Sequence, residues 1–397
     1  MKELDVAIVG AGPYGLSVTA HLSHIGVNCQ IFGRPMTTWR SHMPKGMSLK
    51  SDGFASSLSA PAGVHKLSDY CAEKGIAYHD TLIPVPLATF NDYGLDFQRR
   101  FVPGLDERVV ASMRETPKGF ELCLDDGERV NARRVVVAVG VTHFAYVPEL
   151  LSTLSSEYVS HSSAHHELDR FRNSDVTVIG AGASAIDMAA LLRESGARVS
   201  IVSRAPVINF ASKPATGSRP LWQRVRHPSS GLGPGLRSRI YCDWPQLYRF
   251  LPASLRLGIV RRHLGPSSPW YMQPRVIGKV NVERGVEIEG AAVQGNRVVL
   301  NLRRDGQVGQ RIESDHVIAA TGYRVDLSRL PFMDEKLRSR IRTSGSMPIL
   351  SSNFEASVGG LYFVGLAAAG SFGPLMRFVY GAEFAARRIS QHVAGNR

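Results

Sequence analysis

The chain has 397 residues, of which 44% are apolar and 20% charged, and its formal net charge is +13. This length predicts two or three domains, and the composition excludes wholesale disorder and fibrous structure. The four cysteines lie far apart without a Cys-x-x-Cys pair, which argues against a zinc ribbon, a disulfide scaffold and a dithiol redox centre.

The first predicted element is a strand over residues 4–9, which leads into a glycine-rich turn and a helix to about residue 24. A second strand follows over residues 27–32. Because the first strand starts so close to Met1, we expect no signal peptide, and no apolar run is long enough to cross a bilayer. The sequence therefore predicts a cytoplasmic protein without a transmembrane segment.

The same plan occurs again in the middle of the chain. A strand over residues 176–179 leads into a glycine-rich turn, a helix to about residue 194 and a strand over residues 198–202. After each unit come two strands around a turn (119–124 and 128–132; 297–303 and 310–313) and then an apolar run that ends at a glycine (135–140; 317–322). The chain is therefore predicted to contain two similar modules.

A last strand, over residues 361–364, is predicted to return to the first module, and a helix is predicted from Gly373-Pro374 to about residue 390. The fold class is α/β, with two Rossmann-like dinucleotide-binding domains, the second inserted into the first. The first domain is predicted to comprise residues 1–165 and 323–397, and the second residues 166–322.

Residues 205–275 form a strongly basic insertion, with eleven Lys or Arg against one acid, Asp243. Such a charge attracts nucleic acid, an anionic membrane surface, an acidic protein or a phosphate-bearing cofactor. Its cations alternate with Pro, Gly and Leu rather than forming a helical or aromatic reading surface, so we expect no nucleic-acid binding.

The two glycine-rich turns are the candidate nucleotide sites. Glycines allow the backbone to approach a pyrophosphate, and the helix N-terminus then offers free N–H groups. The predicted contacts are Gly10, Gly12, Pro13, Tyr14 and Gly15 in the first turn and Gly180, Gly182, Ser184 and Ala185 in the second.

The residues after the second strand of each module indicate which nucleotide binds. Many such sites carry an acid at the end of the second strand, where it binds the ribose. That place is occupied by Gly33-Arg34 in the first module and by Ser203-Arg204 in the second, so neither module has the acid. A guanidinium suits a 2′-phosphate, so the second site is predicted to bind NADPH rather than NADH.

The histidines show no ligand spacing, so we predict no metal site.

Taken in order, these motifs resemble the class B flavin-dependent monooxygenases. The resemblance rests on residues 10–15, Trp39-Arg40, residues 180–185 and Ala320-Thr321-Gly322-Tyr323. The family's Phe-x-Gly-x-x-x-His signature is altered here to Ser155, Glu157 and His161. Residues 39–51 and 371–378 look closer to the ornithine and lysine N-hydroxylases and the FAD-dependent urate hydroxylases.

The resemblance implies FAD in the first module, NADPH in the second and O2 as co-substrate. It places Thr321, Gly322 and Tyr323 near both cofactors, and adds further predicted cofactor contacts at Gly365, Phe372, Gly373, Pro374 and Leu375. It implies that a C4a-hydroperoxyflavin transfers one oxygen atom to a small nucleophilic substrate, with N- or heterocycle hydroxylation favoured. The catalytic residues would be Lys50 and Arg377.

The residues of the first module agree with this implied flavin. A flavin needs a flat, largely apolar slot, and the loop carrying Trp39, Met43 and Met47 supplies one. Negative charge on a reduced flavin favours a nearby cation, for which Lys50 and Arg377 are candidates, or a helix N-terminus such as the one predicted at Pro374. The alternatives are that both methionines only fill the core and that Arg377 is a helix-surface cation.

Two other functions stay open at this point. One is a flavin-dependent NADPH reductase that passes electrons to an acidic partner protein, for which the basic insertion would be the docking surface. The other is a non-catalytic protein that senses nucleotides. The sequence does not determine the substrate or the oligomeric state.

Overall fold

The computed structural model describes residues 2–213, 228–263, 265 and 267–395. Residues 214–227, 264 and 266 of the basic insertion thus lie outside the described residues. Two sheets dominate the fold. The first has the strand order β2-β1-β5-β4-β3, with β18 also paired to β5, and the second has the order β11-β8-β7-β15-β6.

The strands are β1 Lys2–Val9, β2 Cys29–Phe32, β3 Val110–Thr116, β4 Gly119–Leu124, β5 Arg129–Val137, β6 Val159–His161, β7 Asp175–Ile179, β8 Arg198–Ser203, β9 Asn209–Phe210, β10 Ser267–Ser268, β11 Asn281–Arg284, β12 Glu287–Gln294, β13 Arg297–Arg304, β14 Gln307–Ser314, β15 His316–Ala319, β16 Thr343–Ser344, β17 Met347–Pro348 and β18 Leu361–Phe363. The α-helices are α1 Pro13–His24, α2 Thr37–Ser41, α3 Leu67–Lys74, α4 Leu87–Phe101, α5 Glu149–Ser152, α6 Ala183–Glu194, α7 Leu236–Asp243, α8 Ala253–Arg262, α9 Gln273–Val276, α10 Glu335–Arg340, α11 Ala369–Phe372 and α12 Gly381–Gly395.

Both sheets are built around the same parallel pair. In the first sheet β1 runs parallel to β2 and β5, and in the second β7 runs parallel to β8 and β15. Successive residues of β1 (Val6, Ala7 and Ile8) are fully buried, as expected for a parallel strand covered on both faces. The predicted fold class, two Rossmann-like domains on one chain, is confirmed.

The strand β5 differs from its prediction. The runs predicted over residues 128–132 and 135–140 form one strand, Arg129–Val137. Its first half pairs antiparallel with β4, and its second half pairs parallel with β18 on the same edge. The last strand therefore does return to the first sheet, as predicted.

The predicted C-terminal helix starts later than expected. Pro374 opens a single 3-10 turn, Pro374–Arg377, and α12 begins at Gly381. Proline fits the first turn of a 3-10 segment as well as that of an α-helix, so the start signal was correct but the helix assignment from residue 374 was wrong.

The position of β6 bears on the domain boundary. This strand lies within the range that we assigned to the first domain, yet it pairs with β15 in the second sheet. We therefore propose that the first domain ends before Val159, and we retain residue 323 as the proposed return point.

Candidate active site

One large cleft, with a volume of about 1320 Å³, is lined by residues of both sheets and of the segments that connect them. Its walls include the ends of β1 and β7, where the two glycine-rich turns begin, and the residues that follow β5 and β15. Ligands of open α/β sheets bind outside the carboxyl ends of the strands, which is where this cleft lies.

In the first turn, two glycines are required by packing and one faces open space. Gly10 has φ of +107°, and a Cβ there would lie 2.5 Å from the carbonyl oxygen of Ala138. A Cβ at Gly15 would lie 1.9 Å from the carbonyl oxygen of Gly10. Gly12, the residue before α1, has no atom within 4 Å of that position, and no side chain caps the helix. The free N–H groups at the start of α1 are thus accessible from the cleft, as a bound pyrophosphate needs.

The second turn shares the main features of this geometry. Gly180 has φ of +140°, and a Cβ there would lie 2.6 Å from the carbonyl oxygen of Ala320. Gly182 precedes α6 as Gly12 precedes α1, also without a side-chain cap. Ala185 occupies the position that corresponds to Gly15 in the first turn. A Cβ added at Gly180 would lie 3.2 Å from the Ala185 methyl group. The second turn thus accommodates one carbon atom more than the first. Both turns therefore fit the phosphates of a dinucleotide.

The loop after β2 is tied to both sheets. Trp39 packs edge-on against Phe90 of α4, with the ring centroids 4.7 Å apart. Met47 packs against the core around the second sheet, and the Lys45 amide donates to the carbonyl of His166 (2.9 Å). Trp39, Met43 and Met47 all line the cleft, so the two methionines are not merely core filling.

Hydrogen bonds fix residues 321–323 in the cleft wall. The Thr321 hydroxyl donates to the carbonyl of Tyr146, and the Gly322 carbonyl accepts from the Tyr146 amide (2.9 Å). His161 Nε2 lies 3.0 Å from that same carbonyl oxygen, and burial lowers the pKa of His161. This linker is therefore held in place by the loop around residue 146 and by β6.

The candidate cations Lys50 and Arg377 both line the cleft. Loss of water lowers the pKa of Lys50, and the charge of Arg377 lowers it further. Arg377 donates to the carbonyls of Val260 (3.1 Å) and His263 (3.3 Å), and burial lowers its pKa also. Arg377 is thus fixed in the cleft wall by α8 and is not a helix-surface cation.

Asp187 is a site residue that sequence reasoning missed. It lies one turn into α6, lines the cleft and is only 6% exposed. Burial raises its pKa to about 7, against the opposing effect of Arg275 and Lys50. Within the described residues it makes no hydrogen bond, and Arg275 is instead held by both oxygens of Glu194. A buried carboxyl without a partner at a cleft wall is typical of a functional group. The available signal was a single acid in an otherwise apolar helical run.

A smaller pocket of about 430 Å³ adjoins the cleft beyond β8. Arg204 contributes to both, and so does Glu287, the first residue of β12. Arg303 of β13 also lines the smaller pocket and holds Glu287 at 3.0 Å. Arg303 and Glu287 were missed because they reach Arg204 only through β12 and β13, strands that follow much later in the chain.

The structure brings most of the predicted contacts together. Those that line the cleft are Gly10, Gly12, Pro13, Tyr14, Arg34, Trp39, Met43, Met47, Lys50, Gly180, Gly182, Ser184, Ser203, Arg204, Thr321, Gly322, Tyr323, Gly365 and Arg377. Those that do not are Gly15, Ala185, Phe372, Gly373, Pro374 and Leu375. Phe372 instead stacks on Phe354 in the core, and the 3-10 turn brings Met376 and residues 377–379 to the cleft in place of residues 372–375.

The described residues contain no cluster of three or more His, Cys, Asp or Glu that could hold a metal ion. Among the same residues, no helix is both long and apolar enough to span a membrane. No cysteine of the described chain lines the cleft.

The fold and the cleft define an oxidoreductase with two dinucleotide-binding domains facing one site. The family model described as pyridine nucleotide-disulphide oxidoreductase matches residues 4–219, and the chain belongs to this family.

Curated relatives include the ferredoxin–NADP reductases of Streptococcus pyogenes (25% identical over 207 residues, 51% of this chain and 55% of that protein) and Granulibacter bethesdensis (27% identical over 206 residues, 51% of each). The chain thus spans about half the length of the curated relatives it matches.

Solved structures with the same fold cover nearly the whole chain. They include an ornithine N-hydroxylase from Kutzneria sp. 744 (TM-score 0.77, 15% identity, 99% of both chains) and the ornithine hydroxylase of Pseudomonas aeruginosa (TM-score 0.75, 16%, 99% of both). The bacillithiol disulfide reductase of Staphylococcus aureus is also similar (TM-score 0.69, 17%, 100% of both). The resemblance to class B flavin-dependent monooxygenases is confirmed at the level of the fold.

Proposed function

We propose that the protein is an FAD-dependent, NADPH-consuming monooxygenase that acts on a small nucleophilic substrate in the cytoplasm, with N- or heterocycle hydroxylation favoured. The proposal is supported above all by the two similar glycine-rich turns that line one cleft of about 1320 Å³. A pocket for one drug-sized ligand usually measures about 300–1,000 Å³, so this cleft has room for two cofactors and a substrate.

The residues present fit the two cofactors. The first turn and the Trp39 loop would hold FAD, and the second turn with Arg204 would hold NADPH. FAD supplies the redox chemistry, since it accepts hydride from a nicotinamide and passes electrons to O2. The chain's own residues bind and orient the reactants, and the apolar loop around Met43 and Met47 excludes water.

The charged groups of the cleft favour an anionic or zwitterionic substrate. Lys50 and Arg377 lie on its walls, and the charge of Arg377 lowers the pKa of Lys50, so the two cations lie close enough to interact. A substrate carboxylate between them would relieve this repulsion. Asp187 of α6 interacts electrostatically with Lys50. Its carboxyl group is available to accept a proton or a hydrogen bond from the substrate.

The reductase alternative rests on two observations. Curated relatives that match half of this chain are ferredoxin–NADP reductases, and the basic insertion offers charge to an acidic partner. Electrons would then leave the flavin for a protein, and no oxygen atom would be transferred.

Product analysis under labelled oxygen separates the two functions. Reconstituted protein is supplied with FAD, NADPH and ¹⁸O2, while amino acids, amines and heterocyclic acids are screened for accelerated NADPH consumption. We expect a substrate that gains one labelled oxygen atom for each NADPH consumed. If NADPH is consumed only when an acidic iron–sulfur protein is added, and no candidate is oxygenated, the reductase function replaces the proposed one.

A further inference from the structure

The described part of the basic insertion carries an unusual share of the exposed apolar side chains. Fifteen large apolar residues are exposed in the described chain, and six of them fall between residues 236 and 255. We call these six the apolar row: Leu236, Ile240, Trp244, Leu247, Phe250 and Leu255, with exposed fractions of 38–78%. Scattered apolar residues are ordinary on a protein surface, but a concentration of this kind marks an interaction site.

The order of the row follows helical geometry. Leu236, Ile240 and Trp244 recur every fourth residue along α7 and its C-terminal cap, so they share one face. Leu247 and Phe250 are three residues apart in the 3-10 segment Pro245–Phe250, where residues three apart are aligned.

The other face of these elements is anchored to the protein. Ser238 and Tyr248 are buried, and the ring of Tyr248 packs edge-on against Tyr241 at 5.9 Å. The Tyr248 hydroxyl donates to the carbonyl of Arg256, whose guanidinium donates in turn to the carbonyl of Gly370 (3.1 Å). The row thus points outward although its elements are fixed to the fold.

The charges around the row are almost all positive. Residues 228–263 contain six arginines, and their one acid, Asp243, is paired with Arg239 at 3.0 Å. Arg237, Arg249 and Arg262 form no salt bridge with any described residue. The Arg249 guanidinium lies 5.9 Å from the Phe250 ring centroid, so cation and apolar group occupy the same surface.

We propose that the apolar row and its arginines form a docking surface for an anionic lipid bilayer, on which the protein sits peripherally. Exposed Trp, Phe and Leu side chains with cations beside them are typical of segments that lie in the membrane interface. Tryptophan favours that interface, and each Arg near an anionic surface adds about 1 kcal/mol, or roughly fivefold in affinity. A second copy of the chain would bring like charges together at this surface, and nucleic acid offers no site for the apolar row.

The surface also adjoins the cleft. Leu255 lies on the exposed side of α8, and Arg261 of the same helix lines the cleft wall. Docking at the row would therefore place the cleft near the bilayer, within reach of substrates that partition into it. This inference does not depend on the reaction proposed above.

Vesicle binding tests the proposal directly. The FAD-reconstituted full chain is sedimented with vesicles of pure phosphatidylcholine and with vesicles in which half of the lipid is phosphatidylglycerol. We expect binding to the anionic vesicles at least tenfold tighter, and weaker binding in high salt, because raising the salt from 0.1 M to 1 M shortens the Debye length from about 10 Å to about 3 Å.

Two double variants separate the contributions. Trp244→Ser with Phe250→Ser should lower the affinity tenfold or more, and Arg237→Gln with Arg249→Gln about 25-fold, from roughly fivefold for each arginine. Matched controls are Val64→Ser (49% exposed) and Arg133→Gln, both far from the row in sequence, which should bind as the parent does. Flavin content and NADPH oxidation, measured without vesicles, should be the same in all of them.

Three results would overturn the proposal. The first is that the parent binds neither kind of vesicle, and the second is that both double variants bind anionic vesicles as well as the controls do. The third is that the row instead mediates self-association or capture of an acidic protein, seen as a complex that the Trp244/Phe250 variant loses while vesicles have no effect.

Discussion

Replacing Asp187 by asparagine should stabilise the protein, and increasingly so as the pH rises. Burial raises the pKa of this carboxyl from 3.8 to about 7. Between these two pH values the folded state therefore holds a proton that the unfolded state has lost. In that window the unfolded chain binds fewer protons, and the wild-type free energy of unfolding falls by about 1.36 kcal/mol for each pH unit gained.

The size of the effect follows from the part of the window that an experiment can reach. From pH 5.5 to the folded pKa of about 7 is roughly 1.5 units, so the wild type should lose about 2 kcal/mol relative to the variant. Above pH 7 the difference should level off. An uncharged amide at this position removes the titration and nearly preserves the shape.

The assay is chemical denaturation of both proteins at a fixed FAD concentration, at pH 5.5 and pH 8. The control is Asp92→Asn, an exposed acid on α4, which should show no pH-dependent difference from the parent. Equal denaturation curves for the parent and the Asp187 variant at both pH values would show that this carboxyl is not held protonated by burial.

Two further predictions concern the proposed nucleotide sites. Removing the guanidinium of Arg204 or Arg303 by substitution with alanine should weaken binding of 2′,5′-ADP roughly tenfold or more, since a hydrogen bond to a charged group contributes about 1.5–3 kcal/mol. Binding of 5′-AMP should change little, and the control is Arg304→Ala, which lies on the same strand as Arg303 but outside the pocket. Calorimetry on the protein without FAD measures both affinities. Equal losses of affinity for 2′,5′-ADP and 5′-AMP would contradict the prediction. Gly10→Ala should lower the melting temperature and abolish FAD binding, because the new methyl group meets backbone 2.5 Å away at a φ of +107°. Gly12→Ala should fold normally and bind FAD more weakly, so identical melting temperatures for the two glycine variants would be inconsistent with the structure.

The repeated strand–turn–helix unit was predictable because each of its signals is local. Each unit consists of an apolar run, a glycine-rich turn and a closing glycine, all within about 25 residues. The first helix, α1, ends at His24 as predicted. The second helix likewise ends at Glu194. Periodicity and turn chemistry act over this range, so sequence alone identifies them.

The errors arose where tertiary contacts decide. Strand β5 was read as two runs because Arg133 and Arg134 interrupt its apolar pattern, although one of them simply points to solvent. Arg303 and Glu287 line the small pocket beside Arg204 because β12 starts shortly after β11, the neighbour of β8, and pairs with β13. No local signal contains that information.

Asp187 was a different kind of omission. An acid among the buried Ile186, Met188 and Ala189 of α6 is visible in the sequence. Its meaning depends on the absence of a hydrogen-bond partner, and only the fold shows which groups surround it.

We expect a flavin and a nicotinamide to meet in the cleft between the two glycine-rich turns. Rapid mixing of the FAD-reconstituted protein with NADPH, without oxygen, tests this through the visible absorbance of the flavin. The yellow colour should bleach at a rate that saturates with NADPH and is much slower with NADH. A protein that stays colourless after reconstitution, or a bound flavin that NADPH does not reduce, would contradict it.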